Sequence, residues 1–82
     1  MSNIRYVLTT INKAGNRVMF QPAQGRHTYS KEGAQVHLNE LLYNNTPERL
    51  EEIFGKQAMG EFQVTPVDCY EGHNDPKRTV FE

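Results

Sequence analysis

A first β-strand is encoded in the segment Ile4-Arg5-Tyr6-Val7-Leu8-Thr9-Thr10-Ile11. β-Branched and aromatic side chains dominate this segment, and such side chains favour extended backbone. Successive strand residues point to opposite sides of a sheet. One face therefore carries Ile4, Tyr6 and Leu8, and the other carries Arg5, Val7 and Thr9.

The residues that follow predict a β-hairpin. Residues 12–16 are typical of a turn, and Gly15 can adopt the positive φ that tight turns require. Residues 17–21 predict a second strand with Val18 and Phe20 on one face, and Pro22 ends it because proline has no N–H for a ladder.

Two helices are predicted after the hairpin. Ser30 is the candidate N-cap of a helix over Lys31–Asn44, and Asn45 helps to end it. A second helix begins after Thr46 and ends at the candidate C-cap Gly55. The apolar positions of the two helices are Ala34, Leu38, Leu41 and Leu42, then Leu50, Ile53 and Phe54.

A third strand is predicted over residues 61–70. Its apolar positions shift phase by one residue at Pro66, so we expect this strand to lie at a sheet edge or to carry a bulge there. Residues 79–81 are a candidate last strand. The order ββααβ predicts an α+β fold: a small, mostly antiparallel sheet of three to four strands, covered on one face by two helices.

The predicted core joins the helices to the hairpin. Its expected members are Leu38, Leu41, Leu50, Phe54 and Val64 on one side and Ile4, Tyr6, Leu8, Val18 and Phe20 on the other. With 82 residues, we expect a single domain over residues 1–82, with residues 72–82 as a candidate flexible tail.

Composition favours a reducing compartment. Cys69 is the one cysteine, so no internal disulfide can form. No stretch approaches the roughly 20 apolar residues of a membrane span, and the first residues lack the apolar run of a signal peptide. We therefore expect a cytoplasmic protein.

Charge is unevenly distributed along the chain. Residues 1–31 carry five bases and no acid, whereas residues 32–82 carry four bases and ten acids, for a net charge of −1. This split predicts a molecule with a basic side and an acidic side. The alternative is that folding interleaves the charges in space.

Several chemistries lack the residues they need. Cys69 and His73 could form a nucleophile pair, but no third group or oxyanion site accompanies them. Cys69, His73, Asp75 and His27 have metal-binding side chains without the repeated spacing of zinc modules. No glycine-rich phosphate loop is present. We expect no enzymatic activity, no metal and no cofactor.

Nucleic-acid binding is the alternative function. Its candidate residues are Arg5, Lys13, Arg17 and Arg26 in and after the basic hairpin, where aromatic side chains could add base stacking. The two strands, the Gly25-Arg26-x-Thr28-Tyr29-Ser30 sequence and the following helix, over residues 17–42, resemble the arm-binding N-terminal domain of phage integrases. That resemblance implies DNA binding.

Protein binding is the function that we favour. The acids Glu40, Glu48, Glu51 and Glu52 fall on outward helical positions, where they could engage a basic protein. The strand edge near Pro66 could also accept a strand from a partner. The competing interpretation is that these acids serve only to keep a small domain in solution.

A second resemblance concerns the origin of the chain. The segment Val64-x-Pro66-Val67-Asp68-Cys69-Tyr70-Glu71-Gly72-His73-Asn74-Asp75-Pro76, together with Thr28-Tyr29-Ser30, resembles small proteins carried by phages, plasmids and integron cassettes. It covers about a quarter of the chain. It implies a mobile-element accessory protein, a class that includes anti-CRISPR inhibitors of nucleic-acid-binding complexes.

Overall fold

A computed structural model describes residues 3–20, 30–70, 76–78, 80 and 81. The elements are β1 (Asn3–Ile11), β2 (Arg17–Met19), α1 (Lys31–Asn44), α2 (Pro47–Phe54), a 3₁₀ turn (Lys56–Ala58) and β3 (Gln63–Cys69). The three strands form an antiparallel sheet in the order β2-β1-β3. The α+β prediction, with two helices inserted between the second and third strands, is confirmed.

The turn between β1 and β2 follows from its residue types. Asn12 accepts hydrogen bonds through its side-chain oxygen from the backbone N–H groups of Ala14 and Asn16, at 3.0 and 2.9 Å. Gly15 has a φ of 86°, a conformation that glycine adopts without steric cost. The predicted hairpin is confirmed, although β2 is shorter than the sequence indicates because it ends at Met19.

Each helix begins at the residue expected to cap it. The Ser30 hydroxyl accepts from the Gly33 N–H at 3.2 Å, and the Thr46 hydroxyl accepts from the Arg49 N–H at 3.1 Å. Helix α2 ends at Gly55, whose φ of 102° favours glycine. The predicted bounds of both helices are confirmed, and only the 3₁₀ turn after Gly55 was not expected.

The helices cover one face of the sheet and form the helix-side core. Leu8, Ala34 and Leu38 are its buried centre. The partly buried residues packed against them are Tyr6, Phe20, Phe62 and Val64. The rings of Phe20, Phe54 and Phe62 contact one another with centroid separations of 5.0 to 5.8 Å.

Three residues assigned to the apolar side of their elements are exposed instead. Ile4 lies near the start of β1, Leu42 in the last turn of α1 and Ile53 near the end of α2. Each sits near the end of its element. Helical spacing identifies the face of a helix but not how far the neighbouring layer extends along it.

Strand β3 lies at a sheet edge, as its proline predicted, but it has no bulge. Its pairing with β1 is continuous from Thr9–Gln63 to Asn3–Cys69, and Pro66 sits opposite Tyr6 in register. The bulge interpretation was therefore wrong. The apparent phase shift arises because both faces of the strand are apolar: Val64 faces the helices, whereas Val67 belongs to a separate core.

That separate core occupies the other face of the sheet and is here called the second-face core. Val7, Val67 and Cys69 are buried in it, and Met19 and Phe81 pack against them. Phe81 arrives from the end of the chain, so the sheet is covered on both faces. The sequence predicted one covered face, and this second-face core was not expected.

The C-terminal segment connects the two edges of the sheet. The Lys77 N–H donates to the Asp68 carbonyl beside β3, and the Phe81 N–H donates to the Arg17 carbonyl beside β2. Across a flat sheet these outer positions would be about 19 Å apart, at roughly 4.8 Å for each strand spacing. Three residue steps, from 77 to 80, span at most about 11 Å. The sheet must therefore curl toward its second face.

Only part of the predicted tail is described. Pro76, Lys77 and Phe81 contact the sheet, and Val80 forms an isolated antiparallel bridge with Val18. This bridge falls within the candidate last strand over residues 79–81. Residues 72–75, 79 and 82 lie outside the described part of the chain, as do residues 21–29.

Candidate protein-binding surface

The outward side of α1 carries exposed apolar side chains beside an acid. Ala34 and Leu38 bury the inner side of the helix, so residues about half a turn away face outward. Val36, Glu40 and Tyr43 lie on that outward stripe at spacings of four and three residues. Val36 is 53% exposed and Tyr43 is 90% exposed. We call these three residues the α1 outer face.

The acids of α2 lie close by in the chain. Glu48, Glu51 and Glu52 are all exposed, and Glu48 and Glu52 share a stripe because they are four residues apart. Arg49 contacts Glu52 at 3.8 Å, an exposed pair that leaves most of the acidic charge uncompensated. Two residues connect Asn44, where α1 ends, to Pro47, where α2 begins.

The predicted acids are thus exposed as expected, but the apolar side chains beside Glu40 were not predicted. Tyr43 and Val36 were not singled out, although their spacing of seven residues signals a shared helical stripe. The sequence could have indicated this, because both residues fall outside the core-facing stripe of Ala34 and Leu38. An apolar pair outside the core-facing stripe indicates a surface available to a partner.

The basic hairpin has fewer exposed basic side chains available to nucleic acid than its sequence indicates. Arg17 is only 6% exposed, and its guanidinium donates to the Thr9 hydroxyl at 3.0 Å and to the Glu61 carbonyl at 2.9 Å. It also pairs with the Glu61 carboxylate at 3.1 Å. Thr9 in turn lies 2.8 Å from the hydroxyl of Thr65. Arg17 therefore joins β2 to β1 and to the segment before β3, and its assignment to a nucleic-acid surface is corrected.

The remaining bases of that surface do not come together. Arg5 and Lys13 are exposed. Arg5 lies near the start of β1 and Lys13 follows its end, so roughly 20 Å or more of extended strand separates them. Arg26 lies outside the described residues. A dense phosphate-binding patch needs closely spaced cations, which Arg5 and Lys13 do not provide.

Cys69, considered above as a nucleophile or metal ligand, packs in the second-face core in the part of the chain that the structure describes. Cys69 is 1% exposed within the second-face core, so its thiol is shielded from substrates. Its suggested partners His73, Asp75 and His27 lie outside the described residues. Over residues 3–20, 30–70 and the short C-terminal pieces, no group of three or more His, Cys, Asp or Glu side chains is arranged to hold a metal ion.

Comparisons with known proteins add no assignment. The chain matches no protein-family model, and it matches neither a curated protein nor a solved structure. Neither of the two described helices has the length and apolar character that crossing a membrane requires. The resemblances to integrase domains and to mobile-element proteins therefore stay predictions.

Proposed function

We propose that this chain is a non-catalytic protein-binding module whose docking surface combines the α1 outer face with the acids Glu48, Glu51 and Glu52. The observation that carries the proposal is the exposure of Tyr43 and Val36 beside Glu40. Charged side chains alone are explained by solubility. A nearly fully exposed tyrosine, on the same stripe as an exposed valine, is not.

The physical roles within this surface differ. Tyrosine is enriched among the residues that dominate protein interfaces, because it buries a large rigid ring and still satisfies its hydroxyl. Acids around such an anchor attract a basic partner, which speeds encounter more than it slows dissociation. Tyr43 is thus the anchor, and the acids steer a basic partner toward it.

Two finer proposals rest on the sequence alone. The resemblance of residues 64–76 to mobile-element proteins favours an inhibitor that occupies the surface of a nucleic-acid-binding complex, as anti-CRISPR proteins do. The single cysteine favours a cytoplasmic location. Direct nucleic-acid binding is the weaker function, because Arg17 is buried in a structural network.

The test is capture of partners from a host lysate by the wild-type protein, followed by binding kinetics with the purified partner. Tyr43→Ser should weaken binding by about tenfold or more, mainly by faster dissociation. The triple change of Glu48, Glu51 and Glu52 to Gln should slow association and flatten its salt dependence. Lys56→Gln, an exposed change in the 3₁₀ turn, is the control and should bind as the wild type does.

Three outcomes would contradict the proposal. Normal binding by both Tyr43→Ser and the triple variant would place the interface elsewhere. Loss of binding in a well-folded Cys69→Ser protein would show that Cys69, which we assign to packing, belongs to the binding site. A DNA or RNA shift at low salt that Lys13→Gln abolishes would favour the nucleic-acid function instead.

A further inference from the structure

The outer edge of β3 presents backbone groups to a partner strand. In an antiparallel ladder, alternate residues of an edge strand point their N–H and C=O groups away from the sheet. The Asp68 carbonyl accepts from Lys77 on the outer side, so Pro66 and Val64 also point outward. Among the described residues, none pairs with the outer side of Val64 or Pro66.

Two depressions flank this edge, one on each face of the sheet. The helix-side groove, about 600 Å³ in volume, is lined by Tyr6, Leu38 and Val64 together with polar residues that include Lys31. The second-face pocket, about 250 Å³, is lined by Val67, Lys77, Arg78 and Phe81. Pro66 lines both, so the free edge runs between them.

The two depressions match the geometry of an added strand. Side chains of a strand alternate between faces, so neighbouring residues of a strand paired to β3 would enter different depressions. Residues on the helix side would meet the mainly apolar groove. Residues on the other side would meet the pocket with its two cationic walls. Main-chain hydrogen bonds then supply affinity, and the two depressions supply selectivity.

The charges along this edge favour an acidic occupant. Lys31, Lys77 and Arg78 contribute three positive charges, and the carboxylate of Asp68, 3.3 Å from the Lys77 ammonium, compensates one of them. Arg78 lies with its guanidinium 5.7 Å from the Phe81 ring centre, which holds the cation at the pocket wall. Counted over the described residues, the edge is therefore basic, in contrast to the acidic outer sides of the helices.

We propose that the outer edge of β3, at Val64–Pro66, binds an extended segment of a partner protein in which apolar and acidic residues alternate. The segment adds a fourth strand antiparallel or parallel to β3, with its apolar side chains in the helix-side groove and an acidic side chain in the second-face pocket. This site is separate from the α1 outer face and does not depend on the function proposed there.

Pro66 limits how tightly the edge can bind. Val64 offers one donor and one acceptor, but Pro66 offers only its carbonyl because proline has no N–H. One carbonyl of the added segment therefore lacks a backbone donor at this position. Pro66→Ala should supply that donor and tighten binding by about three- to tenfold. A segment that bound the depressions without pairing to the backbone would gain nothing.

The experiment titrates capped heptapeptides of alternating valine and aspartate into the isotopically labelled full chain, with valine–lysine peptides as the matched control. The aspartate peptide should bind at least about tenfold more tightly than the lysine peptide. Its largest amide shifts should fall on residues 63–67. Lys31→Glu and Arg78→Glu should each weaken binding by about three- to tenfold at low salt. Lys13→Glu, at the hairpin turn, should leave it unchanged.

Other results would overturn the proposal. Equal binding of both peptides, or no binding of the aspartate peptide, would contradict the proposal that the bound segment is acidic. Shifts confined to Val36 and Tyr43 would move the site to the α1 outer face. A concentration-dependent dimer, detected by light scattering and strengthened in Pro66→Ala, would make a second copy of this chain the occupant. Circular dichroism of each variant checks that it folds.

Discussion

The two faces of the sheet are stabilised in different ways. On the helix-side face, Leu8, Ala34 and Leu38 pack with a group of phenylalanine rings, and the contacts are apolar. On the other face, apolar Val7 and Val67 lie beside the polar network of Arg17. The first core joins the named helices and strands, whereas the second is completed by Phe81, which lies outside them. β1 is the central strand, and in its middle Val7 and Leu8 are buried on opposite faces of the sheet.

The largest expected effect tests the helix-side core. Leu38→Ala should lower the free energy of unfolding by about 2–5 kcal/mol, because it removes a buried side chain and leaves a cavity between α1 and the sheet. Chemical denaturation followed by circular dichroism measures the change. Leu42→Ala, at an exposed position of the same helix, is the matched control. Equal effects of the two changes would mean that the helix is rotated relative to our description.

The second expected effect tests the polar network of the other face. Arg17→Met keeps an apolar stem of similar size but removes the donors to Thr9 and Glu61, and it should cost about 2–4 kcal/mol. Denaturant midpoints compared with Glu61→Gln provide the measurement. The control should cost less than about 1 kcal/mol because the Glu61 side chain is partly exposed. A neutral Arg17→Met would show that the buried guanidinium gives no net stability.

A third effect tests the closing segment. Phe81→Ala should cost about 1–3 kcal/mol, less than a fully buried phenylalanine, because its ring is only partly buried against Val7 and Val67. Hydrogen exchange should show faster exchange at the Arg17 end of β2, with α1 unaffected. Val80→Ala, at an exposed position, should change stability less. If α1 exchanged faster as well, the two cores would unfold as one unit.

The smallest effect is expected on the outer sides of the helices, which belong to neither core. Changing Glu48, Glu51 and Glu52 to Gln should alter stability by no more than about 0.5 kcal/mol per site. The measurement is the melting temperature of the triple variant against the wild type. A large loss of stability would mean that these acids hold the fold together and are not free to serve a partner.

The helix-side core was largely predictable because its pattern is local. Helical spacing located Ala34 and Leu38, and residue types marked the caps Ser30 and Thr46. The second-face core was not predictable in this way. Its cover depends on Phe81 meeting residues near the start of the chain, and no local pattern encodes contacts at that separation.

Only part of the candidate site could be predicted from the sequence, for the same reason. Exposure of the acids followed from the helical pattern, whereas the burial of Arg17 depended on Glu61, which lies 44 residues away. The sequence around an arginine in a basic hairpin does not indicate that it will pair with a carboxylate far away in the chain. The two depressions beside β3 likewise arise from elements that are far apart in sequence, so only the edge itself could be anticipated from Pro66.

The order of the strands has a consequence for synthesis of the protein. The central strand β1 leaves the ribosome before its longest partner, β3, which ends at Cys69. At about 5–20 residues per second, the ribosome needs roughly 3–12 s to make the intervening residues. During that time Val7 and Leu8 lack their native cover, and one edge of β1 has only the short β2 to pair with. The nascent chain is therefore the form most exposed to aggregation and to capture by chaperones.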